Sequence, residues 1–183
     1  MLTLYHGTNL KALKKIKIQG IKPRNKKKSN WETGIGKSRP DLVYLTNCYA
    51  CYYANASCQH KNDEPIILKL KIDPNKIELY PDEEFIFRIE QDKGNISNDP
   101  EKAIEYYETI DPIKFQYLWQ LSLEYMGTIT TNFIPPEAII GYAEEPRKLA
   151  FAMNCDPCIS IMNYKICGEM YKEFLNSLKY KKL

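Results

Sequence analysis

The sequence predicts an α+β fold. Short strand-like runs near the front are each followed by a helix signal, a period-two segment lies in the middle, and the C-terminal forty residues repeat apolar side chains every four positions. The first run is Thr3 to His6. Thr8 or Asn9 then supplies the side-chain oxygen that caps a helix, and Leu10, Leu13 and Ile16 or Lys17 follow at helical spacing. Gly20 closes that helix at a position that tolerates positive φ. Ile21 to Pro40, with Lys26 to Lys28, Gly34 and Gly36 and almost no apolar residues, reads as a long loop. Loops beyond about 12–15 residues inside a domain are more often functional than merely connecting.

Leu42 to Leu45 reads as a second strand, and Asn47 is positioned to cap a helix through Cys48, Ala50, Cys51, Tyr53 and Ala54. Pro65 to Ile72 sets Ile67, Lys69 and Lys71 against Ile66, Leu68, Leu70 and Ile72, the alternation of a half-buried strand, and Ile77 to Tyr80 suggests another. Asp82 to Asp111 is acidic and weakly patterned, anchored by Phe85 and Phe87, with a turn at Asn95 to Pro100. Asp111-Pro112 starts a helix whose apolar face is Ile113, Tyr117, Leu118 and Leu121, because proline at the first helical position forfeits no hydrogen bond. Gly127 to Phe133 reads as strand, Ile134-Pro135-Pro136 interrupts it, and Ala138 to Ala143 resumes an apolar run. Met162, Ile166, Met170, Phe174 and Leu178 predict a C-terminal helix packed on the outside.

A chain of 183 residues forms one domain with or without an appendage, and buries roughly 70% of its unfolded surface. Its 44% hydrophobic and 27% charged residues are those of a globular protein. No apolar run approaches the roughly 20 residues of a membrane helix, and the first residues lack a secretory pattern, so the expected location is cytoplasmic, without a membrane partner. The net charge of +3 is uneven: Lys11 to Arg39 holds eleven basic residues and one acid, Glu32. A segment carrying +10 attracts phosphate, whether of a dinucleotide or of a nucleic acid. The competing reading is a Lys-rich solvated surface, since only four of the 26 basic residues are arginines.

Two short motifs carry chemistry: Tyr5-His6-Gly7-Thr8, and Val43-Tyr44-Leu45-Thr46 followed by Ala50 and Tyr53. With Glu124 ahead of Ile134-Pro135-Pro136-Glu137-Ala138-Ile139-Ile140, they stand in the order of the ADP-ribosyltransferase superfamily, and the chain resembles its histidine-tyrosine-glutamate branch, the group of diphtheria toxin and the poly(ADP-ribose) polymerases. That resemblance implies two packed small, mainly antiparallel sheets with flanking helices and NAD, as substrate, in the cleft between them. It implies an NAD-binding domain over residues 1–146 and a C-terminal helical extension over 147–183 packed on the same domain.

The resemblance also assigns roles. His6 would hydrogen-bond a ribose hydroxyl, the Gly7 backbone would pair with the nicotinamide carboxamide, and Thr8 completes that cofactor-binding motif. Tyr44 would stack on the nicotinamide ring and Tyr53 would close its other face, with Tyr52 or Tyr49 as alternatives because Tyr53 lies two residues closer to Tyr44 than is usual. Glu124 would be the catalytic carboxylate, stabilising positive charge on the ribose as nicotinamide leaves, with Gln120 and Glu137 as weaker substitutes. Arg24 or Lys22 would neutralise the pyrophosphate. The implied activity is mono-ADP-ribosyl transfer to a protein or nucleic-acid acceptor by a monomer. The alternatives are an RNA 2′-phosphotransferase-like enzyme, which relies on further histidines where this chain has only His60, and an inactive module that binds NAD, ADP-ribose or nucleic acid.

Cys48-x-x-Cys51 and Cys155-x-x-Cys158 have the spacing of a four-thiolate zinc site. The first pair falls in a predicted helix without a tight-turn Gly or Pro, so the expectation is buried free thiols and no metal.

Overall fold

The structure is a computed structural model that describes residues 1–24, 38–58, 62–144 and 160–183. Lys26 to Lys28, Gly34, Gly36, His60, Cys155 and Cys158 lie outside the described residues. The protein is α+β, but the expected pair of small sheets gives way to one open sheet of six strands among the described residues. The strands are β1 (Leu2–Asn9), β2 (Val43–Thr46), β3 (Pro65–Ile72), β4 (Tyr80–Pro81), β5 (Thr128–Thr131) and β6 (Ile139–Glu144). They lie in the order β4-β5-β2-β1-β3-β6, and every neighbouring pair is antiparallel. The two late strands join this sheet on either side of β1, β5 beside β2 and β6 beside β3.

Strand alternation divides the apolar side chains between two faces. On one, Leu4, Leu45, Leu68, Leu70 and Ile129 form a core with Leu13 and Ile16 of α1 (Leu10–Gln19). Asn9 caps α1 by accepting from the Ala12 amide, and Gly20, at φ 72°, ends it with a bond from its own amide to the Ile16 carbonyl. On the other face, Tyr5 and Ile67 pack against Ala50, Cys51 and Ala54 of α2 (Ala50–Ala56) and against Tyr171 and Leu175 further along the chain. Gly7 lets α2 lie this close. A Cβ there would stand 2.2 Å from the Ala54 nitrogen and 2.4 Å from the Ala50 carbonyl oxygen, both backbone atoms.

Residues 82–111 contain two helices that their weak patterning hides, α3 (Glu83–Asp92) and α4 (Pro100–Thr109). Asp82 and Asp99 cap them, each accepting from the amide two residues on. After Asp111 a 3-10 turn (Pro112–Leu118) leads into α5 (Trp119–Met126), which Gly127 ends in the left-handed conformation at φ 73°. Asn47 does not cap α2. Thr46 Oγ1 instead accepts from the Cys48 and Tyr49 amides and orders the turn into the helix.

The C-terminal helix is α6 (Ser160–Ser177), and the expected face is buried only in part: Phe174, with Leu178 just beyond the helix, packs against the core. Tyr171 and Leu175 enter the core, whereas Ile166 and Met170 are exposed. Residues spaced strictly by four drift about 40° per step around a helix of 3.6 residues per turn, so one such series does not hold a single face. Two isolated bridges complete the backbone pairing, Ile21 with Ile134 and Tyr142 with Lys181. No helix among the described residues is long and apolar enough to cross a membrane.

Candidate functional site

The central feature is where β1 and β2 part. Along its other edge β1 pairs with β3 through eight register positions, from Leu2 opposite Ile72 to Asn9 opposite Pro65. With β2 it makes one, Tyr5 opposite Thr46. Beyond Tyr5 the β2-facing edge of His6 and Gly7 has no ladder partner, and a side chain bridges the opening. His6 Nδ1 lies 2.9 Å from the main-chain oxygen of Tyr44. A carbonyl only accepts, so Nδ1 carries the proton, and in the neutral ring Nε2 keeps its lone pair. Burial pushes the His6 pKa down, outweighing the opposing effect of that hydrogen bond, and keeps the ring neutral near pH 7.

Alternation from the single pair Tyr5–Thr46 puts Tyr44 on the face of Tyr5 and Gly7, and Leu45 on the face of His6, so imidazole and phenol leave the sheet on opposite faces. The phenol is held by two hydrogen bonds. Its oxygen accepts from the Arg39 amide at 2.7 Å and donates to Glu83 Oε1, at the start of α3. The Arg39 guanidinium makes a two-pronged pair with Asp41, at 3.0 and 2.8 Å, and donates to the Ile110 carbonyl at 2.7 Å. This network joins the loop before β2, the start of α3 and the end of α4 around one tyrosine.

Glu83 is 2% exposed, and its Oε2 is buried without a hydrogen-bond partner among the described residues. Burial, and then the neighbouring Asp82 carboxylate, push its pKa up to about 8. Asp82 is raised as well, by burial, against the bond it accepts from the Glu84 amide. Because Oε1 accepts the Tyr44 hydroxyl, the acidic proton belongs on Oε2. The Tyr44 pKa is driven far up by burial and by Glu83, so the phenol is a hydrogen-bonding group and not a base. Ser122 Oγ accepts from the Asp82 amide at 3.0 Å and donates to the Thr128 carbonyl at 2.8 Å, fixing the start of α3 to the middle of α5 and the start of β5.

His6, Gly7 and Tyr44 therefore meet at the opening, and Thr8 continues β1 as a buried residue. The side of Gly7 where a Cβ would project is filled by the α2 backbone, which leaves its strand edge as the route to a ligand. Tyr53 is half-buried on α2, edge-on to Tyr52 at 6.0 Å between ring centres. Tyr49, an alternative to it, is buried in the core against Tyr171 and is closed to a ligand. Arg24 donates to the carbonyl and hydroxyl oxygens of Ser38, and Lys22 is exposed nearby in sequence. Glu124 is exposed on α5, and among the described residues no hydrogen bond or ion pair ties it to His6 or Tyr44. Gln120 and Glu137 are exposed too.

Cys48 and Cys51 are buried and form no disulfide with a described residue, and among the described residues no three His, Cys, Asp or Glu side chains gather as a metal site. Burial raises the Cys48 pKa, which keeps it an unreactive thiol. Sequence reasoning missed Glu83. Asp82-Glu83-Glu84 carries an ordinary helix-start signal, and nothing local announces that the middle residue turns inward to a tyrosine 39 positions earlier.

Fold and site together define an α+β protein with an open antiparallel sheet, parted beside a neutral histidine and backed by a buried tyrosine–carboxylic acid pair. No protein-family model matches the chain, and no curated protein matches it.

Proposed function

We propose that the protein binds NAD at the opening between β1 and β2 and transfers its ADP-ribose to a macromolecular acceptor, releasing nicotinamide. The observation that supports this reading is the His6 bond to the Tyr44 carbonyl across a ladder reduced to one register pair. It leaves Nε2 free to accept from a ribose hydroxyl, and leaves the β2-facing edge of Gly7 free for the paired donor and acceptor of a carboxamide. Tyr44 and Gly7 share one face of the sheet with α2, which carries Tyr53, and this reading assigns those two rings to a nicotinamide bound at that edge.

Cleavage of the nicotinamide–ribose bond builds positive charge on the sugar, and a carboxylate near the 2′-hydroxyl would stabilise it. Glu124 is assigned that role. Glu83 suits it less well, because it is buried and protonated near neutrality. Lys22 and Arg24 would meet the pyrophosphate from the basic stretch, of which residues 25–37 lie outside the described residues. The test is incubation with NAD and separate protein and nucleic-acid acceptors, following free nicotinamide and transfer of a label on the adenylate. Release with transfer is expected. NAD binding without release would leave a binding module, and absence of binding would overturn the reading.

A further inference from the structure

A cavity of about 430 Å³ opens beside the start of α3. Its wall includes Arg39, Asp41, Glu83, Tyr107, Glu108 and Ile110. A volume in this range suits a small organic ligand. Three carboxyl groups face one cation, and that cation is already committed: the Arg39 guanidinium is matched to both oxygens of Asp41 and to the Ile110 carbonyl. Glu83 brings to the wall a carboxyl 2% exposed, with an oxygen that has no partner among the described residues. Tyr107 contributes a half-buried ring steadied by Phe87, 5.5 Å away between ring centres.

We infer that this cavity is a binding site for an organic cation of the alkylguanidinium type, with Glu83 as its counter-ion and the Tyr107 ring as its stacking surface. A guanidinium is planar and weakly hydrated, stacks on aromatic faces, and donates several N–H groups to carboxylates. An anion would meet Asp41, Glu83 and Glu108 with no unpaired positive group on the wall. On binding, the Glu83 O–H proton passes to solvent, Oε2 becomes an anion paired with the guanidinium, and Oε1 keeps the Tyr44 hydroxyl. No covalent bond to the ligand forms. Glu83 ties the site to Tyr44 and so to the opening beside His6, but the site does not depend on what binds there.

The surroundings of Glu83 set the pH behaviour. Arg39 stays cationic and paired with Asp41, while Tyr44 and Tyr107 have pKa values pushed up by burial and by the nearby carboxyls. Asp82 is raised like Glu83, Glu84 is paired with Arg88, and Glu108 is exposed on α4. Glu83 is thus the wall group that must lose a proton, so affinity for a permanent cation rises with pH until Glu83 ionises unaided.

The test is titration of the whole protein with ethylguanidinium, followed by NMR chemical shifts, with neutral ethylurea in parallel. Saturable binding of ethylguanidinium is expected, strengthening by about tenfold per pH unit below neutrality and levelling above pH 8. Ethylurea is expected to bind at least tenfold more weakly. Glu83→Gln keeps an acceptor for Tyr44 and is expected to weaken ethylguanidinium by about tenfold or more. No saturable shifts at millimolar ethylguanidinium, equal or tighter binding of ethylurea, or an affinity flat between pH 6 and 8 would each overturn the inference. The pH series uses the unaltered protein, so it decides the matter even if the variant does not fold.

Discussion

The His6 imidazole donates its Nδ1–H to the main-chain oxygen of Tyr44, 2.9 Å away, and not to the Tyr44 phenol. Imidazole and phenol are consequently independent: one spans the parted strands, and the other is engaged by Arg39 and Glu83. Each can be altered without disconnecting the other.

Replacing His6 by Ala is expected to weaken NAD binding by up to about tenfold, the value of one hydrogen bond, and to leave the Tyr44 phenol in place. Calorimetric titration with NAD checks this, and an unchanged affinity would remove His6 from the binding site. Its lowered pKa also carries a sign. The unfolded chain protonates this histidine more readily than the native protein does, so its stabilising contribution is complete above pH 6.5 and declines as pH falls toward the lowered native value. In His6→Ala that part of the acid sensitivity should disappear from denaturant midpoints measured between pH 5 and 7.

Glu124→Gln is expected to lower ADP-ribosyl transfer by about 10²–10³-fold while NAD affinity changes little, since the carboxylate is assigned to charge that develops only as nicotinamide departs. The side chain is exposed, so the substitution should not move the melting temperature. Turnover at the original rate in the variant would exclude this residue from catalysis.

Gly7→Ala is expected to cost about 3 kcal/mol or more, because the added methyl meets the backbone of α2, which no rotamer change can clear. A chemical denaturation curve measures it. A stability loss below about 1 kcal/mol would show that α2 can lift away from β1 at little cost.

Glu83 predicts an opposite pH trend. Its pKa rises from 4.5 to about 8 on folding, so its stabilising contribution is complete below pH 4.5 and is lost as pH climbs through 8. The loss across that interval reaches at most about 1.4 kcal/mol per pH unit. Glu83→Gln is expected to flatten this part of the profile, and a difference between the two proteins that is constant from pH 4.5 to 8 would contradict the buried acid.

How much of this was legible from the residues depends on how local each signal is. β1, α1 and β3 were readable because their alternation, caps and Gly20 lie within a few positions of one another. α4 was not: none of its ten residues is buried, so it writes no apolar stripe, and only the Asp99-Pro100 start marks it. α6 was legible along the chain, and of its four-residue series Phe174 and Leu178 pack against the core, while Ile166 and Met170 are exposed and Tyr171 and Leu175 are the buried residues. The meeting of His6 with Tyr44 was suggested by motif order. The Tyr44–Glu83 pair had no such cue, because long-range folding alone brings α3 to β2.

The two ends of the sheet bear on how molecules of this protein treat one another. At one margin β4 is only two residues long and includes Pro81, which has no N–H to offer a neighbour. At the other, Lys181 exchanges backbone hydrogen bonds of 2.9 and 2.8 Å with Tyr142, laying the chain's own C-terminal residues across the middle of β6. Among the described residues both margins thus offer little free strand, which disfavours edge-to-edge pairing with a second molecule. Removal of residues 180–183 should expose one such edge, and concentration-dependent association of the shortened chain in light scattering would be its sign.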